Sequence, residues 1–171
     1  MGIPLIDLHT QYLSIKDEID DAIQSVIRDS AFIGGPYLKE FEDAFAAYCN
    51  LPFGIGASSG TTALHLVFAA LEIGPGDEVI TVPNTFIATV ETIVQTGAKP
   101  VFVDVTPDQN IDPSLIEGAI TPHTKAIMPV HLTGRMADML AIHQLADRHG
   151  IPIIEDAAQA AGSLLHKRPS G

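Results

Sequence analysis

Pro152-Ile153-Ile154-Glu155-Asp156-Ala157-Ala158-Gln159-Ala160 is the stretch that decides how this chain is read. A short apolar run stops abruptly on two carboxylates and passes into small residues. A brief apolar run bounded this way is predicted to be a buried strand. In open α/β sheets, ligand-handling groups gather outside the carboxyl ends of parallel strands. Asp156 is therefore predicted where a carboxylate can meet a ligand. Gln159, three residues on, falls on the same side of the turn that follows. The alternative from its own context, less favoured, is a helix cap.

Working upstream, the same rhythm recurs. The pattern predicts strands at 53–57, 78–83, 100–103, 125–130 and 151–155. Between them it predicts helices at 61–71, 87–96, one begun by Asp112-Pro113, and 138–149. Gly74-Pro75-Gly76, Gly97 and Gly150 supply the stops. Strands alternating with helices imply a mostly parallel sheet covered on both faces. Residues 1–52 read differently, as an amino-terminal helical segment. Ile15, Ile19, Ala22, Ile23, Val26 and Ile27 recur at helical spacing, and Ile33-Gly34-Gly35-Pro36 interrupts them. Leu38, Phe41, Phe45 and Tyr48 then mark a second amphipathic helix. No repeat, low-complexity run or linker divides the chain.

Composition narrows the classes of function. At 171 residues with 46% hydrophobic content, burial is plentiful and disorder is disfavoured. A net charge of −12 argues against a nucleic-acid partner and against a polybasic membrane patch. Cys49 is alone, so no internal disulfide can form, and a reducing compartment fits best. Met1-Gly2-Ile3-Pro4-Leu5-Ile6 lacks the regions of a signal peptide, and Ile6 stands where a myristoylation signal has Ser or Thr. A cytoplasmic location is expected.

Gly56-Ala57-Ser58-Ser59-Gly60-Thr61-Thr62-Ala63-Leu64 joins the first predicted strand to its helix. Free amides at a helix start and the helix dipole together favour a phosphate group. Gly60 lets the backbone approach, and Thr61 and Thr62 add hydroxyls. Ser59 or Thr61 acting only as a cap explains the same residues. The segment also matches the G-x-S-x-G nucleophile elbow, with Ser58 as nucleophile and Asp104 or Asp156, then His166, as partners. An elbow normally follows several strands, however, and this one follows the first. A dinucleotide loop fits less well, because Ser59 occupies the third glycine position. Phe86, just past a strand, can stack on a flat ring or pack into the core. His131 closes a strand and can either face a ligand or satisfy backbone groups, the structural role being the favoured one. His143 and His149 have the wrong spacing for a shared metal, so no metal site is expected. A carboxylate at Asp156 suits the cationic ring nitrogen that pyridoxal phosphate offers.

Several motifs run in order: Gly35-Pro36 with Phe41-Glu42, Ser59 to Leu64, and Gly74-Pro75-Gly76-Asp77-Glu78-Val79-Ile80. Thr85-Phe86-Ile87-Ala88-Thr89, Gly97 to Asp104, and Thr124-Lys125-Ala126-Ile127 follow. Val130-His131-Leu132-Thr133-Gly134 and Glu155 to Ala160 complete the set. The chain resembles the amino-terminal part of a DegT/DnrJ/StrS-type sugar aminotransferase. The resemblance implies an α/β, aspartate-aminotransferase-like large domain (pyridoxal phosphate fold type I). That domain would occupy residues 53–171 and stop before its last strands and small domain. It also implies pyridoxal 5'-phosphate, held by Gly60, Thr61 and Thr62 at the phosphate. Phe86 would stack on the ring, Asp156 would face the ring nitrogen, and Gln159 would lie near the phenolic oxygen. Members of this family move an amino group, usually from glutamate, to a nucleotide-linked keto-sugar, and they are homodimers.

The sequence departs from the family at the nucleophile. The family's Schiff-base lysine is expected beyond Gly171, and Lys16, Lys39, Lys99, Lys125 and Lys167 do not match it. The chain is then a fragment or a truncated product, and by itself inactive. Alternatives are a sugar dehydratase of the same family with histidine for lysine, the Ser58 hydrolase, and an inactive remnant.

Overall fold

The computed structural model describes residues 5–171. Met1–Pro4, most of the stretch read above for a leader or acyl signal, lies outside the described residues. The chain divides into two compact units, one through Ala44 and the other from Phe45 to Gly171.

The first unit is helical. Helix α1 (Leu8–Ser14) was not anticipated. The Asp7 side chain caps it, accepting from the Thr10 backbone N–H at 3.0 Å and the Thr10 hydroxyl at 2.7 Å. Helix α2 (Lys16–Arg28) carries the predicted apolar stripe, yet Ile19, Ile23 and Ile27 all remain substantially exposed. Helix α3 (Pro36–Tyr48) runs across the division between the units.

The second unit holds the sheet. Its elements are α4 (Gly60–Ala70), β1 (Glu78–Thr81), α5 (Ile87–Gln95), β2 (Lys99–Phe102), α6 (Pro113–Ala119), β3 (Thr124–Ile127) and α7 (Met139–His149). Strands β2, β1 and β3 pair in parallel in that spatial order. Successive residues of β1 face opposite sides. Val79 packs with Leu64 and Phe68 of α4 and Ile93 of α5. Ile80 packs with Ile116 of α6 and with Ile142 and Leu145 of α7. Helices thus cover both faces, as the alternation of elements predicts. The arrangement also follows from handedness. The step from β1 to β2 and the step from β2 to β3 run in opposite directions along the sheet. Right-handed crossovers therefore require α5 and α6 on opposite faces. The direction reverses between β1 and β3, which is where α/β sheets open a ligand crevice.

Two predicted strands need correction. Residues 53–57 form no strand, and Phe53 and Ile55 stand about four-fifths exposed. Residues 151–155 do not form a continuous strand; isolated bridges join Ile153 to Ile127 of β3 and Asp156 to Val130 just beyond it. The cause is Pro129. The ladder runs from Ile127 N–H to Pro152 O and from Ile154 N–H to Ile127 O. The next bond, to Ile154 O, needs a Pro129 N–H that does not exist. Pairing resumes with Asp156 N–H donating to Pro129 O and His131 N–H donating to Asp156 O, each at 3.0 Å. Past the last bridge, β4 (Leu164–Leu165) and β5 (Arg168–Pro169) form a small hairpin.

Candidate active site

The carboxyl ends of β1, β3 and the bridged segment 153–156 come together, and Asp156 stands among them. Its backbone is held by the segment that follows β3, its N–H donating to Pro129 O at 3.0 Å and its carbonyl accepting from His131 N–H. Its side chain reaches across to α5. Oδ2 accepts from the Thr89 hydroxyl at 2.8 Å, while Oδ1 accepts only a long 3.3 Å contact from Ala158 N–H. Asp156 is half-buried. It ends the bridged segment and receives bonds, rather than capping a regular helix, since residues 157–160 form only a turn.

The segment after β1 supplies the facing wall. Asn84 Nδ2 donates to Gln109 O at 3.0 Å, tying this turn to the loop after β2. The Thr85 and Thr89 hydroxyls share a hydrogen bond at 2.8 Å. Phe86 occupies the N-cap position of α5 and makes no side-chain cap. Its ring is 68% exposed, so it does not pack into the core. An exposed phenyl ring at a strand-to-helix turn leaves a flat apolar surface open to a ligand.

At the start of α4 the cap and the proposed phosphate donors coexist. Ser59 Oγ accepts from Thr62 N–H at 3.1 Å. The first intrahelical bond runs from Ala63 N–H to Ser59 O. The amides of Gly60 and Thr61 therefore have no partner within the helix. A side chain at Gly60 would meet nothing within 4 Å, so the approach to these amides is open. The Thr62 hydroxyl is shared with Ser58 at 3.0 Å and Ser59 at 3.1 Å.

His131 is completely buried and structural. Its Nδ1 accepts from Ala137 N–H at 3.2 Å, which puts the proton of the neutral ring on Nε2. Nε2 donates to Glu155 Oε2 at 3.0 Å, and Gly171 N–H reaches the same oxygen at 3.1 Å. Burial pushes the Glu155 carboxyl up, but the hydrogen bonds from His131 and Gly171 prevail and hold it below its ordinary value. Gln159 closes the loop after β3: its side-chain carbonyl accepts from Thr133 N–H at 2.8 Å, which leaves its amide nitrogen as donor.

Other candidates lie elsewhere. Lys99 pairs with Glu78 at 2.8 Å, at the amino end of the sheet, and Lys125 is the second residue of β3. Lys16 and Lys39 pair with Asp20 and Asp43 in the first unit. Lys167 sits in the hairpin turn with φ 67°. No histidine among the described residues hydrogen-bonds Ser58, and His166 also lies in the hairpin turn. Asp104 accepts from Val105 N–H within its own loop. No cluster of metal-ligating side chains occurs among the described residues. Sequence reasoning missed Thr85 and Thr89, and missed Glu155 as the partner of His131. A threonine four residues after another at a strand end was the available signal for the first pair.

The sequence profile of the DegT/DnrJ/EryC1/StrS aminotransferase family matches residues 13–171. The chain belongs to that family. Among curated DegT-family relatives, the UDP-2-acetamido-2-deoxy-3-oxo-D-glucuronate aminotransferase of Pseudomonas aeruginosa is 51% identical, over 94% of this chain and 45% of its own length. The crystal structure of DesV from S. venezuelae superimposes with a TM-score of 0.96 at 46% identity, over 99% of this chain and 46% of that one. NtdA from Bacillus subtilis with bound cofactor PMP gives 0.82 at 41% identity, over 90% and 36%. These structures share the aspartate-aminotransferase-like fold with the sheet described above. The chain spans about half the length of the curated relatives it matches. No helix among the described residues is long and apolar enough to cross a membrane.

Proposed function

We propose that this chain is the cofactor-binding, amino-terminal part of a pyridoxal 5'-phosphate-dependent aminotransferase. The complete enzyme transfers an amino group, from glutamate as donor, to a nucleotide-linked keto-sugar, and works as a homodimer in the cytoplasm. The Schiff-base lysine and the small domain lie beyond Gly171, so residues 53–171 form a partial large domain that is inactive alone.

The residues present fit the cofactor. The free amides of Gly60 and Thr61, with the Thr61 and Thr62 hydroxyls, suit a phosphate at a helix start. The exposed ring of Phe86 suits the face of a planar heterocycle. The amide nitrogen of Gln159 suits a phenolic oxygen. The observation that carries the reading is Asp156, a carboxylate held at the crevice end of a parallel strand with one oxygen still lightly engaged. Facing a ring nitrogen, it holds the proton there. When bound, the pyridoxal ring supplies an electron sink for carbanion chemistry. Phe86 and the α4 start would orient the ring against that carboxylate, and the Gln159 amide would hold its phenolic oxygen.

Substituting Asp156→Asn in the intact protein tests this. Transamination of nucleotide keto-sugars should fall at least ~100-fold, as for the loss of one positioned electrostatic partner. The cofactor should still bind through the α4 start. Near-normal turnover would overturn the reading.

A further inference from the structure

We propose that Thr85 and Thr89 form a directed hydroxyl relay that fixes the orientation of Asp156, which makes Thr89 a positioning residue for the cofactor's ring nitrogen. This rests on the reading of Asp156 given above.

The direction of the relay follows from counting protons. An ionised Asp156 can only accept, so the Thr89 hydroxyl donates to Oδ2 at 2.8 Å. That uses its single proton. The 2.8 Å bond to Thr85 must then run the other way, with Thr85 donating to Thr89. The chain of donors is Thr85 to Thr89 to Asp156. Each bond polarises the next, so the two hydroxyls act as one donor aimed at Oδ2.

Thr89 is not an ordinary helix threonine. Buried threonines in helices usually return their hydroxyl to the carbonyl four residues back. Thr92, in the same helix and also fully buried, does this, bonding Ala88 O at 2.7 Å. Thr89 is 1% exposed, yet it spends its hydroxyl on a carboxylate 67 residues away in sequence. It also stands in the first turn of α5, where the positive end of the helix dipole favours an anion. The bond pins Oδ2 and leaves Oδ1 as the lightly engaged oxygen for a ring N–H.

The test uses the intact protein reconstituted with pyridoxal phosphate labelled with 15N in the ring, read by NMR, together with cofactor dissociation constants. Thr89→Val keeps the shape and removes the donor. The ring-nitrogen signal should move towards that of the unprotonated ring, and the dissociation constant should rise at least about tenfold, the lower bound for losing a hydrogen bond to a charged group. Thr89→Ser keeps the hydroxyl and should preserve both values. Thr85→Val should shift both in the same direction by less, and it carries the test if Thr89→Val does not fold. A wild-type signal and affinity in both valine variants would overturn the relay. So would a serine variant as impaired as the valine one, which would show that the methyl packing matters instead. Asp156→Asn separates the two claims: if it leaves the ring nitrogen unchanged, the assignment of Asp156 falls. If it alone shifts the signal, only the relay falls.

Discussion

Removing the imidazole of His131 should be among the most damaging changes near the site, although His131 touches no ligand in this account. The side chain is completely buried and makes two hydrogen bonds. His131→Ala leaves the buried Ala137 N–H without a partner, at about 1–3 kcal/mol, and takes a donor from the Glu155 carboxylate, at about 1.5–3 kcal/mol. With the void added, the loss should reach about 4 kcal/mol. Glu155→Gln is the contrast. Its amide oxygen can still accept from His131 and Gly171, so the loss at neutral pH should be near 1 kcal/mol. The two variants should also differ in pH dependence. Because the folded Glu155 is held below its ordinary 4.5, its contribution is present above that value and is lost as the pH falls through the lower folded value. The gap between wild type and Glu155→Gln should therefore narrow as the pH drops below 4.5. Urea midpoints of the intact apo-protein at fixed concentration measure all of this. A glutamine variant as damaged as His131→Ala, with a gap independent of pH, would refute the reasoning.

Two further outcomes follow from the geometry. Thr61→Ala should weaken cofactor retention by several-fold or more while changing the chemical step little, read as dissociation constant against kcat, because it removes a phosphate donor and leaves Asp156 intact. Gly162→Ala should destabilise by about 1–3 kcal/mol. Gly162 has φ +84°, and a Cβ there would lie 2.5 Å from the Tyr48 hydroxyl but 3.7 Å from the ring carbon that bears it. Adding Tyr48→Phe should recover part of that loss in a thermal melt.

The α/β architecture was legible because its signals are local. Asp112-Pro113 starts α6 as read, Asp138 caps α7 rather than opening it, and Gly150 closes α7 in the left-handed conformation. The missed helix α1 carried a local signal too, in Asp7 and Thr10, but its seven residues are too few to establish a helical period. What sequence could not supply was pairing at a distance. Residues 53–57 have a strand's composition, but whether a ladder forms depends on segments distant in sequence. Pro129 sits inside an apolar run that reads as continuous, and its cost appears only once the neighbouring segment is in place. The bonds from His131 to Glu155 and from Thr89 to Asp156 span 24 and 67 residues, and no periodicity encodes them. Asp156, Phe86 and Gly60 were legible as candidates because strand ends and helix starts are themselves local features.

The central claim is that this chain builds a cofactor site whose nucleophile it does not itself carry. Reducing the intact, pyridoxal phosphate-loaded protein with borohydride and mapping the labelled peptide tests it directly. The account predicts one adduct, on a lysine beyond Gly171, with Lys16, Lys39, Lys99, Lys125 and Lys167 unlabelled. A stoichiometric adduct on Lys125 or Lys167 would contradict it.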